Sequence, residues 1–169
     1  MNSFEQIKNM NFDALVLEGG SLKCAFTAGI LDVLMDSDFP EFKYYYGVSS
    51  GSMAMSYLLS KQRSNFIKVT RALVEDPNFI SYRNTFSQQG LMNLDFLQGY
   101  VHESYPFDEE AADRNSEGKT VCIVATDHHS GKPHYLTPSK GKWLNYMMAS
   151  ATLPFITKGR TKVDGKWMF

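Results

Sequence analysis

Apolar and polar positions along these 169 residues keep two rhythms, and the changes of rhythm set out the elements. Asp13-Ala14-Leu15-Val16-Leu17 is a short apolar run of the kind that makes a buried strand. Glu18-Gly19-Gly20-Ser21 breaks it. From Leu22 to Met35, Ala25, Phe26, Ile30, Leu31, Val33 and Leu34 recur at helical spacing, and Asp36 to Pro40 ends that helix. Tyr44 to Val48 is a second strand, and a helix-like segment from Ser52 to Leu59 follows a glycine-flanked turn. A third helix runs from Asn65 to Val74, with Ser64 placed to cap it.

Further along, Asp76 to Gly90 is rich in aromatic and polar residues, has no clear period, and is a candidate flap. Leu94 to Glu103 is helical, and Asp108 to Glu117 is a charged, exposed stretch. Lys119 to Ala125 is a β-branched strand. Turn residues from Asp127 to Lys132 lead to His134-Tyr135-Leu136, which pairs back as a hairpin. Trp143 to Ser150 is the last helix, and Leu153-Pro154-Phe155 is loop. Alternating strands and helices argue one α/β domain over residues 1–169, with a mostly parallel sheet flanked by helices.

Composition narrows the classes. Hydrophobic residues are 43% and charged residues 21%, a globular balance with enough apolar surface for a core. A net charge of -1 gives no electrostatic footprint for nucleic acid. Cys24 and Cys122 lie far apart without metal-ligand spacing and read as free thiols. Met1 to Phe12 is polar and unlike a secretory signal, and no apolar run reaches bilayer length. The expectation is a cytoplasmic protein without a resident metal or cofactor. The 9 methionines and 14% aromatics suit a core first and a greasy pocket second.

Gly47-Val48-Ser49-Ser50-Gly51 places a serine between two glycines, after a strand and before a helix. Such a turn lifts the hydroxyl out of the fold, and Gly47 and Gly51 stand where a side chain would clash. A serine nucleophile also needs an oxyanion site and a base. Gly19, Gly20 and Ser21, with Lys23 two residues on, form a second small-residue loop whose amides and helix N-terminus suit a developing oxyanion. A dinucleotide loop would need G-x-G-x-x-G, but Ser21 and Cys24 replace two of its glycines. The four histidines, His102, His128, His129 and His134, read better as surface residues than as a base. Asp127 and His134 keep a hydrolase order but sit too close in sequence for a triad. Asp164-Gly165, between Thr161-Lys162-Val163 and Lys166-Trp167-Met168, reads as a hairpin turn before it reads as a base.

Taken together, these residues resemble the patatin-like phospholipase family, in particular its bacterial esterase branch. The blocks are Glu18 to Cys24, Gly47 to Ser52, Ala125-Thr126-Asp127 with Ser130-Gly131-Lys132, and Ala149 to Phe155. The resemblance implies a three-layer fold and a Ser–Asp dyad without histidine. Ser49 would attack a lipid or phospholipid acyl ester, the loop at Gly19, Gly20 and Ser21 would hold the oxyanion, and peripheral contact with a membrane would be compatible. Two departures stand out. Ser21, Lys23 and Cys24 occupy positions where the family pattern has Gly, Arg and Gly. The family's catalytic aspartate falls just past Phe169, so the chain is expected to be a fragment that lacks its base, with Asp164 the weaker candidate. The alternatives are a non-catalytic lipid- or protein-binding module on the same scaffold, and a Ser-His-Asp esterase.

Overall fold

The computed structural model describes residues 12–37, 39, 41–81 and 90–169. The first eleven residues, and most of the candidate flap between 76 and 90, lie outside the described residues.

Four strands form one sheet in the order β1 (Ala14–Leu17), β2 (Tyr44–Val48), β3 (Thr120–Thr126) and β4 (Pro133–Leu136). The first three are parallel, with Leu17 opposite Gly47 and Gly47 opposite Ile123. β4 returns antiparallel, pairing Ala125 with His134. The sheet is therefore mixed and mostly parallel, with helices flanking it. Parallel neighbours require a crossover, and α1 (Cys24–Asp36) supplies the first one. Between β2 and β3 run α2 (Ser50–Leu59), α3 (Asn65–Glu75), α4 (Leu94–Ser104) and α5 (Glu109–Ser116). α6 (Trp143–Ala151) packs on β3, and a separate hairpin of β5 (Thr161–Val163) and β6 (Lys166–Met168) follows.

α2 is the central helix, with every residue buried except Met53. Serines at 52 and 56 survive there because each hydroxyl donates back along the helix, to Ser49 O at 2.6 Å and Ser52 O at 2.8 Å. The core beneath it is built on Leu17, Tyr45, Ile123, Met55 and Trp143. Trp143 is wholly buried, and its indole N–H donates to Asp113 Oδ1 at 2.7 Å. The opposite face of β1 and β2 carries Val16, Tyr44 and Val48, all exposed.

Three local expectations change. The charged stretch after Asp108 is a helix, α5, capped by the Asp108 carboxylate on Ala111 N–H and buried through Ala111 and Ala112. On α1 the buried stripe is Cys24, Ala28 and Leu31, whereas Phe26, Ile30 and Val33 face solvent. Ser64 does stand at the N-cap of α3, but its side chain makes no capping bond. It has a left-handed backbone, and both its N–H and its hydroxyl donate to the Asp32 carboxylate at 2.9 Å.

Candidate active site

β2 ends at Val48 and α2 begins at Ser50, so Ser49 alone turns the chain. Its backbone sits at φ 51°, ψ −129°, a conformation that a residue with a side chain adopts only at a strain of about 1–3 kcal/mol. Two tight approaches enforce it. A Cβ on Gly47 would fall 2.6 Å from Ser52 Cα. One on Gly51 would fall 2.6 Å from Leu17 O and closer still to Glu18 O. The two glycines predicted to flank the elbow are thus the points where α2 presses on its own strand and on the end of β1.

The glycine loop lies directly across from the elbow. A Cβ on Gly19 would meet Ser49 Cβ at 3.0 Å and Ser49 Oγ at 3.7 Å, so the serine hydroxyl sits over the bare face of Gly19. Gly20 N–H donates to Ser50 Oγ at 3.2 Å. Ser50 Oγ in turn donates to Cys24 Sγ at 3.0 Å, and the Cys24 thiol reaches back to Glu18 O at 3.6 Å. This chain of bonds ties the loop, the start of α1 and the elbow together. It also leaves Gly20 with its amide already engaged, so the loop's available donors are the amides of Gly19 and Ser21, which have no partner among the described residues. Ser21 has φ 51°, the left-handed backbone that makes glycine the natural occupant of such a position. Lys23 stands apart: its N–H closes a short 3-10 turn on Gly20 O at 3.1 Å, and its exposed side chain does not line the site.

Ser150 has a role that no local pattern announces. Its hydroxyl accepts from Ser49 N–H at 2.7 Å and donates to Val124 O at 2.5 Å. From a position one hundred and one residues after Ser49, it bridges the strained turn to the end of β3. Ser150 lies in the block from Ala149 to Phe155, one of the four on which the family resemblance rests, although that pattern does not say which groups the hydroxyl bridges.

Ser49 opens into two cavities. One, of about 410 Å³, is almost wholly apolar and is walled by Met53, Phe66, Val69, Leu73, Phe79 and Met92. The other, of about 250 Å³, lies toward Val124, Thr126, Thr152, Pro154 and Phe169. Leu153 borders both. Phe169 is drawn to this side by a reciprocal pair of backbone bonds with Thr126, at 2.7 and 2.8 Å.

No histidine lines either cavity. His128 packs edge-on against Phe169 at 4.6 Å, His129 is exposed, and His134 lies on β4. The Asp127 carboxylate is turned onto Ser130 and His129 N–H groups, which hold its pKa below the ordinary value, so Asp127 and His134 make no pair. Asp164 accepts from Lys142 Nζ at 3.0 Å and from Tyr146 OH at 2.9 Å, and these donors keep its carboxyl ionised below the ordinary range. With Asp164 at φ 46° and Gly165 at φ 85°, the pair forms the turn of the β5–β6 hairpin. Among the described residues, no group of three or more His, Cys, Asp or Glu side chains converges on a common point as a metal site would require. Both cysteines are buried and free.

A serine on a strand-to-helix elbow, over a glycine loop and an apolar cavity, places the molecule among the α/β proteins with a mostly parallel sheet and a cavity at its strand ends. A family model for patatin-like phospholipases matches residues 15–169, and the chain belongs to that family. It is 29% identical over 153 residues to the uncharacterized protein YjjU of Escherichia coli (strain K12). That match covers 90% of this chain, and the chain spans 43% of that protein's length.

Proposed function

We propose that the chain carries the nucleophile, oxyanion loop and acyl pocket of a serine acyl hydrolase acting on lipid or phospholipid esters. The observation that carries this reading is Ser49, held in a strained turn with its hydroxyl over Gly19 and open to an apolar cavity of about 410 Å³. An acyl chain would lie among Met53, Phe66 and Leu73. Ser49 Oγ would bond to the ester carbonyl carbon while its proton passes to a carboxylate and on to the departing alcohol. The charge on the carbonyl oxygen would fall to the amides of Gly19 and Ser21. Water would then release the acyl group by the same route in reverse.

The base in this reading is an aspartate supplied by sequence following Phe169. Its support is the direction of the chain: the Thr126–Phe169 pairing brings that point to the cavity beside Ser49 and Ser150. A fluorophosphonate probe should label Ser49 rapidly in protein that includes that sequence, and slowly in residues 1–169. Protein that includes it, is folded, and stays unlabelled refutes the reading.

One observation favours a second reading, a lipid-binding module without turnover. Gly20 N–H is spent on Ser50 Oγ, which leaves the oxyanion loop one donor short. Fatty acid that binds the cavity, together with an unreactive Ser49, would select this alternative.

A further inference from the structure

Residues 153–160 form a compact loop at the mouth of the two cavities. Thr152 and Thr161 close its base through their hydroxyls, 2.8 Å apart. Inside it, Leu153 N–H donates to Thr157 Oγ1 at 2.8 Å, and Thr157 N–H and Oγ1 donate to Leu153 O at 3.0 and 3.1 Å. Thr157 is buried, so the tip is built outward from a fixed root. At that tip Phe155 is 97% exposed, with φ 67°. A left-handed backbone is unfavourable for a residue with a Cβ, and a phenyl ring left in water forgoes the gain of burial. Glycine or asparagine would make the same turn without either penalty. No contact among the described residues therefore accounts for a phenylalanine here.

We propose that this loop, together with Trp167, is an interfacial anchor that seats the mouth of the cavity on an anionic phospholipid surface. Leu153, Pro154, Phe155 and Ile156 give an apolar tip, and Lys158 and Arg160 follow at its shoulder with no carboxylate anywhere in residues 153–160. Lys158 lies 3.9 Å from Asp95, both side chains mostly in water, an exposed pair of little energetic weight. From Phe155 to Arg160 the chain reaches at most about 18 Å, so tip and cations fit within one leaflet's surface layer. Trp167, 45% exposed, lies under Arg160 Cζ at 5.3 Å and Lys162 Nζ at 5.7 Å. An amphipathic ring flanked by cations suits the headgroup layer. Leu153 belongs both to the tip and to the cavity walls, which gives a lipid chain a continuous apolar path inward. The choice of a lipid ligand rests on the acyl-hydrolase reading, but binding itself requires no turnover.

The test uses Ser49→Ala protein, so that hydrolysis plays no part, with vesicles of phosphatidylcholine alone or mixed with phosphatidylglycerol. Trp143 is wholly buried, so a blue shift in tryptophan emission reports Trp167. The expected result is co-sedimentation and a blue shift with the anionic vesicles, both weakened by salt. Phe155→Asn, which tolerates a positive φ and should keep the thermal midpoint, should weaken binding about tenfold or more. Lys158→Gln and Arg160→Gln should each weaken it about fivefold. Absence of binding to anionic vesicles, or unchanged binding by Phe155→Asn, overturns the proposal. So does a Phe155-dependent dimer that ignores vesicles, which would assign the tip to a second copy of the chain. Binding without any Ser49 labelling of unsubstituted protein that includes the sequence following Phe169 would leave the anchor standing and remove the hydrolase reading; labelling without binding would do the reverse.

Discussion

Replacing Ser150 by alanine should loosen the elbow. The hydroxyl makes two bonds, accepting from Ser49 N–H at 2.7 Å and donating to Val124 O at 2.5 Å, and the residue is 5% exposed. Leaving a buried donor or acceptor without its partner costs about 1–3 kcal/mol, so the two together give about 2–6 kcal/mol. The elbow borders an open cavity, where water can replace part of the loss, which favours the lower half of that range. Ser49 can also relax from φ 51°, ψ −129° once its amide is free, returning about 1–2 kcal/mol. The net expectation is a destabilisation of about 2 kcal/mol. For a domain of this size that lowers the thermal midpoint by about 4–8 °C. The midpoint should be read alongside hydrogen exchange of the Ser49 amide, whose protection should fall more than that of the β2 amides. A loss under about 0.5 kcal/mol, or an unchanged Ser49 exchange rate, would refute the claim that Ser150 holds the turn.

Two glycines in helices should respond with opposite signs to alanine. Gly51→Ala places a methyl against Leu17 O and Glu18 O and should cost about 1–3 kcal/mol, while Gly99→Ala, with nothing within 4 Å, should gain about 0.5–1 kcal/mol; urea midpoints decide it, and a stabilised Gly51→Ala would sink the account of the elbow. Acid should destabilise the fold from one side only. Asp36, held low by Arg63, Asp127, held low by Ser130, and Asp164, held low by Lys142, all have folded pKa values under their ordinary 3.8. The unfolded chain therefore takes up protons first, and the stability these carboxylates lend is present above about pH 4 and lost as pH falls through the folded values. Urea midpoints should decline below about pH 4, with a shallower decline in Asp164→Asn; a midpoint that rises on acidification contradicts the assignment.

Much of the architecture was legible because parallel strands read as unbroken apolar runs, as at Val121 to Val124 in the buried β3; β1 has the same kind of run in Leu15-Val16-Leu17, yet only Leu17 of the three is buried and Val16 is exposed. α5 was not, because Glu109 to Asn115 offers only Ala111 and Ala112 to the core and the period is too thin to register. Its true signals were the Asp108 cap and the acidic first turn. α1 shows a different failure. It is apolar on two sides, and periodicity cannot tell the side that packs, Cys24, Ala28 and Leu31, from the side that does not. At the site, the two glycine motifs were readable as local turns. The bonds that join them were not, since Gly20 meets Ser50 thirty residues on and Ser49 meets Ser150 one hundred and one residues on.

Among the described residues, six non-glycine positions have positive φ: Ser21, Ser49, Lys61, Ser64, Phe155 and Asp164. Three have ordinary explanations. Lys61 and Ser64 turn the chain between α2 and α3, and Asp164 makes a hairpin turn. The other three gather at one place: Ser21 and Ser49 line the larger cavity, and Phe155 tips the loop in which Leu153 borders it. Strain of this kind persists only where neighbouring structure fixes it, and for two of the three that structure is one short stretch after α6 begins to end. Ser150 holds Ser49 by its amide, while Thr152 and Thr157 close the loop that lifts Phe155. The Ser49 turn and the mouth are therefore set by the same eight residues, Ser150 to Thr157. A change in that stretch should be felt at Ser49 and Phe155 together, whereas a change in the β5–β6 turn at Asp164 should reach neither.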